Sequence, residues 1–185
     1  MPAKFIDRFS TSRFARGIAL VLTVLMIFPD GVAMAQSCVS GNWTPFPSTS
    51  QLPTAIETLN AVVNNGYLYV VGGSTGTTGF QSTVSYVQLS TTTGMPLTAF
   101  KSTTALPNPL SRDLCGVASN GFLYTVGGVE PSATDPNGQT VGYVQYAPFH
   151  PATGTIGSWT RQTGVLPEVV QLHGTVVLNG YMYVI

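Results

Sequence analysis

The chain has 185 residues and a formal net charge of zero; 44% of its residues are hydrophobic and only 8% are charged. Beyond residue 35 there are three basic and five acidic side chains, so no basic patch is available for nucleic acid or an anionic membrane surface. The high apolar content also excludes an intrinsically disordered chain. The composition therefore predicts a packed domain with no nucleic-acid partner.

Residues 1–35 have the layout of a secretory signal peptide. The basic opening consists of Lys4, Arg8, Arg13 and Arg16. Residues 18–28 form an apolar run of 11 residues with one threonine, and residues 33–35 (Ala-Met-Ala) have the small side chains of a cleavage site. The run is short for a membrane span, although an uncleaved anchor is the alternative. We expect cleavage after Ala35, export of residues 36–185 to the periplasm, cell surface or extracellular space, and no membrane association after cleavage.

Three copies of one hairpin pattern organise the rest of the chain. Each places Asn-Gly between two apolar runs, at Asn65-Gly66, Asn120-Gly121 and Asn179-Gly180, with spacings of 55 and 59 residues. Asn-Gly in this context predicts a type I′ turn, because both central residues of that turn need positive φ. Glycine pairs, Gly72-Gly73 and Gly127-Gly128, follow the first two copies.

Other features repeat in step with the hairpins. The aromatic residues Trp43, Phe100 and Trp159 lie 57 and 59 residues apart, and the sequence Tyr-Val-Gln occurs at 86–88 and again at 143–145. A period of this length in a strand-rich sequence predicts radially repeated four-stranded sheets. We expect repeat units at 43–99, 100–158 and 159–185, the last of them truncated. The predicted strands are 60–63, 67–71, 84–89, 115–118, 122–126 and 141–146.

These motifs resemble the kelch repeat in its longer bacterial exported form, similar to the central domain of galactose oxidases. The similarity rests on the glycine pairs, the aromatic residue after each Asn-Gly, and residues 153–159 followed by Leu166-Pro167. His173 lies where kelch repeats often carry histidine, whereas Leu59 and Leu114 occupy that column in the other units. The resemblance implies an all-β fold, namely a partial kelch-type β-propeller of about two and a half blades of four-stranded antiparallel sheet.

Kelch propellers usually have six or seven blades, so the resemblance implies that residues 36–185 form an incomplete ring. We expect the chain to be the N-terminal fragment of a longer protein. The partners that complete the ring are then the remaining blades of the same protein or, by self-association, further copies of this chain. Recurrence of the aromatic column favours a packing role over a sugar-stacking platform.

The two cysteines, Cys38 and Cys115, allow three alternatives. Export favours a disulfide between them, followed by free thiols and by lipidation of Cys38. Residues 35–38 match the lipoprotein signal poorly, since that signal resembles Leu-Ala-Gly-Cys.

No catalytic residue, metal ligand or cofactor is assigned from the sequence. His150 and His173 have no recognised metal spacing, and residues 135–138 (Asp-Pro-Asn-Gly) are typical of a turn and lack the distal ligands of a calcium loop. Asp113 and Glu168 lie in loops that lead into hairpins and are candidates for contact with a polar ligand.

Three functions remain open. The first is a non-catalytic propeller that binds a protein or glycan ligand through its loops, since function in repeat scaffolds concentrates there. The second is a propeller enzyme acting on sugars, similar to sialic acid mutarotases or, less closely, to galactose oxidases. The third is a structural component of the cell surface.

Overall fold

The computed structural model describes residues 45–76, 79–109 and 114–185. Apart from a 3-10 turn at Ser48–Ser50, its regular structure is entirely β-sheet. Within these residues no helix has the length and apolar character to cross a bilayer. The predicted signal peptide, Cys38 and Trp43 lie outside the described residues. The strands are β1 (Asn60–Asn64), β2 (Tyr67–Val71), β3 (Val84–Gln88), β4 (Lys101–Ser102), β5 (Cys115–Ser119), β6 (Phe122–Val126), β7 (Val129–Glu130), β8 (Gln139–Thr140), β9 (Val144–Pro148), β10 (Thr160–Gln162), β11 (Thr175–Leu178) and β12 (Tyr181–Val184).

Two four-stranded antiparallel sheets form the body of the protein. The first, blade 1, has the order β1-β2-β3-β4, and the second, blade 2, has the equivalent order β5-β6-β9-β10. Strands β11 and β12 form a two-stranded sheet, the third hairpin, and β7 pairs with β8 inside a loop of blade 2. The first strands of the three repeats are neighbours, since β1 packs against β5 and β5 against β11. This is the arrangement of successive propeller blades, and the predicted fold class is confirmed.

The three Asn-Gly turns have the same backbone geometry. φ is 47° at Asn65 and 75° at Gly66, and the corresponding turns at residues 120–121 and 179–180 have φ between 49° and 81°. Positive φ at both central residues matches the twist of the flanking strands. Local turn chemistry thus sets the register of each hairpin, with Asn64 opposite Tyr67 in the first.

The predicted strand 141–146 is wrong in its boundaries. The sequence predicts 141–146 from the repeated Tyr-Val-Gln, whereas β9 is Val144–Pro148. Tyr69 pairs with Tyr86 in blade 1 and Tyr124 pairs with Tyr146 in blade 2, so Tyr146 is the structural equivalent of Tyr86. The cause is the longer loop of blade 2, in which Gly127 N–H donates to the carbonyl of Tyr143 before the ladder begins.

The outer strand of each blade follows the repeated aromatic residue. β4 comes directly after Phe100 and pairs with β3, while β10 comes directly after Trp159 and pairs with β9. The second sheet therefore extends to Gln162, which lies within the predicted third repeat unit, 159–185. The indole Nε1 of Trp159 donates to the carbonyl of Thr104 at 3.0 Å, which joins the outer parts of blades 1 and 2.

The main core lies between blades 1 and 2. On blade 1 the rings of Tyr67, Tyr69 and Tyr86 form a cluster with centroids 6.1–6.4 Å apart. Phe149 of blade 2 covers Tyr69 with its centroid at 4.9 Å, and Tyr69 is 1% exposed. Burial of these apolar faces supplies the main driving force for packing of the two sheets.

The same aromatic face recurs in blade 2 and the third hairpin, with increasing exposure. Phe122, Tyr124 and Tyr146 repeat the cluster in blade 2, and Tyr124 is half-buried. In the third hairpin Tyr181 is 70% exposed and Tyr183 is 46% exposed. The covering element seen on blade 1 thus has no equivalent over the third hairpin within the described residues.

Candidate functional site

The loops that leave the glycine-pair ends of the strands share one face of the molecule. Val71 lies opposite Val84 and Val126 opposite Val144, so both blades direct the same loops to this side. We call it the loop face. It includes the described residues 72–76, 79–83, 103–109, 127–143 and 163–174. The Asn-Gly turns and residues 89–99 and 149–158 lie at the opposite ends of the strands.

An open groove of about 370 Å³ lies on the loop face where blades 1 and 2 meet. Blade 1 contributes Gly79 and Phe80, and the segment between the blades contributes Pro109. The loop of blade 2 contributes Pro131, Ser132, Asp135 and Pro136. Three separate loops thus build one groove with an aromatic ring, three prolines and a carboxylate, and its volume lies in the range of small-ligand sites.

Hydrogen bonds beneath the groove fix two of its prolines. Glu130 Oε2 accepts a hydrogen bond from Asn108 Nδ2 at 3.1 Å and another from the hydroxyl of Tyr143 at 2.9 Å. Asn108 directly precedes Pro109, and Glu130 directly precedes Pro131. The carboxylate therefore holds the segment between the blades against the loop of blade 2, and the groove has a defined shape.

Arg161 completes this cluster from the outer strand of blade 2. Its guanidinium carbon lies 4.0 Å from the ring centroid of Tyr143, and Nη2 is 3.4 Å from the tyrosine hydroxyl. The contact combines a cation–π interaction with a long hydrogen bond. Burial raises the pKa of Tyr143 well above its usual value, and the hydrogen bond to Glu130 and the charge of that carboxylate raise it further; the guanidinium opposes them.

The turn that carries the groove's outer wall is an Asx-turn. Asn137 N–H donates to Asp135 Oδ1 at 2.8 Å, and Gly138 N–H donates to the carbonyl of Asp135 at 3.0 Å. Gly138 has φ of 86°, and a Cβ there would lie 2.7 Å from Phe80 Cζ. The absence of a side chain at Gly138 thus lets the Phe80 ring of blade 1 pack onto the loop of blade 2.

Two buried tyrosines are expected to make the folded protein less stable at alkaline pH. Burial, together with Tyr67 and Tyr86, raises the pKa of Tyr69 from 10.0 to about 12, and the pKa of Tyr143 is also raised. Because the folded-state pKa exceeds the unfolded one, this stabilisation is fully present below pH 10 and is lost as the pH rises toward 12. We expect the free energy of unfolding to fall over this interval, measured by urea denaturation, and to fall less steeply in Tyr69→Phe. A pH-independent free energy of unfolding up to pH 12 would contradict the burial of both hydroxyls.

The structure separates the two histidines that the sequence singles out. His150 follows β9 on the side of the Asn-Gly turns, where its N–H donates to the carbonyl of Thr155 at 2.8 Å. His173 precedes β11 on the loop face, and its ring packs beside Gly127. Among the described residues no three His, Cys, Asp or Glu side chains converge in a way that would hold a metal ion.

The other candidates are scattered or lie outside the described residues. Glu168 is exposed on the loop face, whereas Asp113 is not among the described residues. Cys115 is half-buried on β5, and its Sγ lies 3.9 Å from Asn60 Nδ2. Its proposed partner Cys38 is not described, so the disulfide stays a prediction. Phe80, Asn108, Glu130, Tyr143 and Arg161 were not predicted as site residues.

A second open groove, of about 590 Å³, runs along the third hairpin on the loop face. His173 and residues 169–172 form one side, and Val184 and Ile185 of the hairpin form the other. Val169, Leu172 and Ile185 are exposed hydrophobic residues.

Comparisons with known proteins identify the fold. No protein-family model and no curated protein matches the chain. Among solved structures it is similar to YjhT, a propeller protein, with a TM-score of 0.55 and 22% sequence identity. The match covers 75% of this chain and 35% of YjhT, so the chain spans about a third of that protein's length. Together with the sheet order, this likeness shows a partial β-propeller.

Proposed function

We propose that the chain is part of an exported β-propeller that binds a protein or glycan ligand through its loop face. The observation that carries the proposal is the groove between blades 1 and 2. Three loops separated in sequence converge to form it, and the Glu130 carboxylate anchors two of them. A rigid sheet scaffold with specialised loops is a common basis for recognition.

The difference between the two equivalent loops supports this proposal. In blade 1 the loop closes with a hydrogen bond from Gly72 N–H to the carbonyl of Thr83, whereas blade 2 closes the same loop only at Tyr143. The additional residues form the hairpin β7–β8 and its proline-rich tip. Formation of a four-stranded blade does not need this extension, since blade 1 has four strands without it.

Mutation of Phe80 tests the proposal. The full chain is screened against a panel of oligosaccharides and a display library of random peptides. We expect Phe80→Ala to weaken the best binder at least about tenfold, which corresponds to about 1.4 kcal/mol. The matched control is Leu97→Ala, because Leu97 is 58% exposed at the opposite ends of the strands. Binding that survives Phe80→Ala but fails in Leu97→Ala would place the site on the other face.

A sugar-acting propeller enzyme is the second candidate, and the Glu130–Tyr143 hydrogen bond favours it. A carboxylate and a phenol next to a groove are groups that can exchange protons with a sugar hydroxyl. In that case the chain would accelerate the interconversion of sugar anomers, and Glu130→Gln would abolish the acceleration. NMR spectroscopy of the two anomers measures this rate. Ligand binding without any such acceleration would favour the binding module.

A further inference from the structure

We propose that Asn60, Thr125 and Gln145 bind an ordered water molecule that is buried between blade 1 and blade 2. The site is distinct from the groove on the loop face. It would join the innermost strand of blade 1 to the two central strands of blade 2.

Sheet register brings these side chains together. Gly116 pairs with Thr125, and Thr125 pairs with Gln145, so the three residues form one row across blade 2. The row faces blade 1, because a Cβ at Gly116 would lie 2.7 Å from Asn60 Oδ1 and 3.2 Å from Val62 Cγ2. Asn60 Oδ1 therefore approaches the row at Gly116, next to Thr125.

The polar atoms of this row are buried and lack partners among the described residues. Thr125 is 1% exposed and Gln145 is not exposed at all. Asn60 Oδ1, Thr125 Oγ1, and both Nε2 and Oε1 of Gln145 accept or donate no hydrogen bond within the described protein. Buried polar groups in folded proteins nearly always have a partner, so each of these four atoms needs one.

The four atoms match the hydrogen-bonding capacity of water. Asn60 Oδ1 and Gln145 Oε1 accept, Gln145 Nε2 donates, and the Thr125 hydroxyl does either. A buried water molecule typically makes about three hydrogen bonds to such groups. The interface around the row is otherwise apolar, with Val62, Leu123 and Ala147 in the same core.

Two details argue that the row is specific to this interface. Asn60 Nδ2 points to Cys115 Sγ at 3.9 Å, which turns Oδ1 toward Gly116. In blade 1 the positions of Thr125 and Gln145 are held by Val70 and Ser85. The repeat itself therefore does not require a threonine and a glutamine there. The polar row thus belongs to the contact of blade 2 with blade 1.

A high-resolution crystal structure of the full chain tests the proposal directly. We expect a water peak within about 3.2 Å of at least three of the four atoms. Direct pairing of the Gln145 amide with Thr125 or Asn60, with no peak between them, would overturn it.

Thermal unfolding of variants gives a second test. Thr125→Val and Gln145→Leu are each expected to lower the melting temperature, and the double variant is expected to lower it by less than the sum, because the first substitution already removes the water. Thr125→Val combined with Thr160→Val, at an exposed position of β10, should be additive. Additive losses for Thr125 and Gln145 would contradict a shared water.

Discussion

Replacement of Tyr69 by alanine is expected to leave little folded protein. Tyr69 is 1% exposed, is surrounded by Tyr67 and Tyr86, and lies 4.9 Å from the ring of Phe149 in the next blade. Truncation of a buried aromatic side chain typically costs about 3–5 kcal/mol. Since the free energy of unfolding of a domain is about 5–15 kcal/mol, this loss is a large share of the total.

The repeat supplies matched controls for this prediction. Tyr124 and Tyr183 occupy the equivalent position in blade 2 and in the third hairpin, where the side chains are half-buried and 46% exposed. Urea denaturation should therefore rank the destabilisation as Tyr69→Ala, then Tyr124→Ala, then Tyr183→Ala. Equal losses at all three positions would show that the blades do not pack in the order described.

Gly154→Ala is expected to cause the second large loss of folding stability. Gly154 has φ of 73°, and a Cβ there would lie 2.3 Å from Tyr67 Cε1, which is closer than any real contact. The substitution therefore forces blade 2 away from the tyrosine cluster of blade 1, and overpacking of this kind costs about 1–3 kcal/mol. Strain from the positive φ adds to that cost.

Gly94→Ala is a control that separates the contact with Tyr67 from the backbone strain at Gly154. It holds the equivalent position in the loop of blade 1, with φ of 70° and no atom within 4 Å of its Cβ position. We expect Gly94→Ala to lower the free energy of unfolding only through backbone strain. The difference in free energy of unfolding between the two variants therefore measures the inter-blade contact. Equal destabilisation by both substitutions would contradict the packing of blade 2 on Tyr67.

Local chemistry made the hairpins predictable. Asn65-Gly66 and its two counterparts fix the turn, and alternating apolar residues fix the flanking strands, so β2 and β6 match their predicted bounds and β1 and β5 exceed theirs by one residue. The repeated period then indicates stacking of similar sheets. Each of these signals depends on residues that are close in sequence or that recur in every unit.

Features that depend on a single unit were not predictable in the same way. The hairpin β7–β8 lengthens one loop, and this shifts β9 relative to the Tyr-Val-Gln sequence at 143–145. Tyr143 was therefore assigned to a strand, whereas it is a buried hydrogen-bond donor to Glu130. A comparison of loop lengths after the glycine pairs is the signal that marks this region as specialised.

The groove could not be predicted from the sequence, because its residues come together only in the folded structure. Phe80, Pro109 and Pro131 come from three loops that approach one another only when blade 2 packs on blade 1. No periodicity connects them, and no motif includes Asn108 with Glu130. Such a site follows from the arrangement of sheets and not from any local pattern.

Within the described residues the chain forms successive blades, and its third hairpin presents an exposed aromatic face and a strand edge without a further partner strand. Unpaired edges and apolar faces favour association. The most direct test is the molar mass of residues 36–185, expressed alone, by light scattering over a range of concentrations. We expect self-association that decreases in a variant carrying Tyr181→Ser and Tyr183→Ser. A stable, cooperatively unfolding monomer that binds no hydrophobic dye would contradict it.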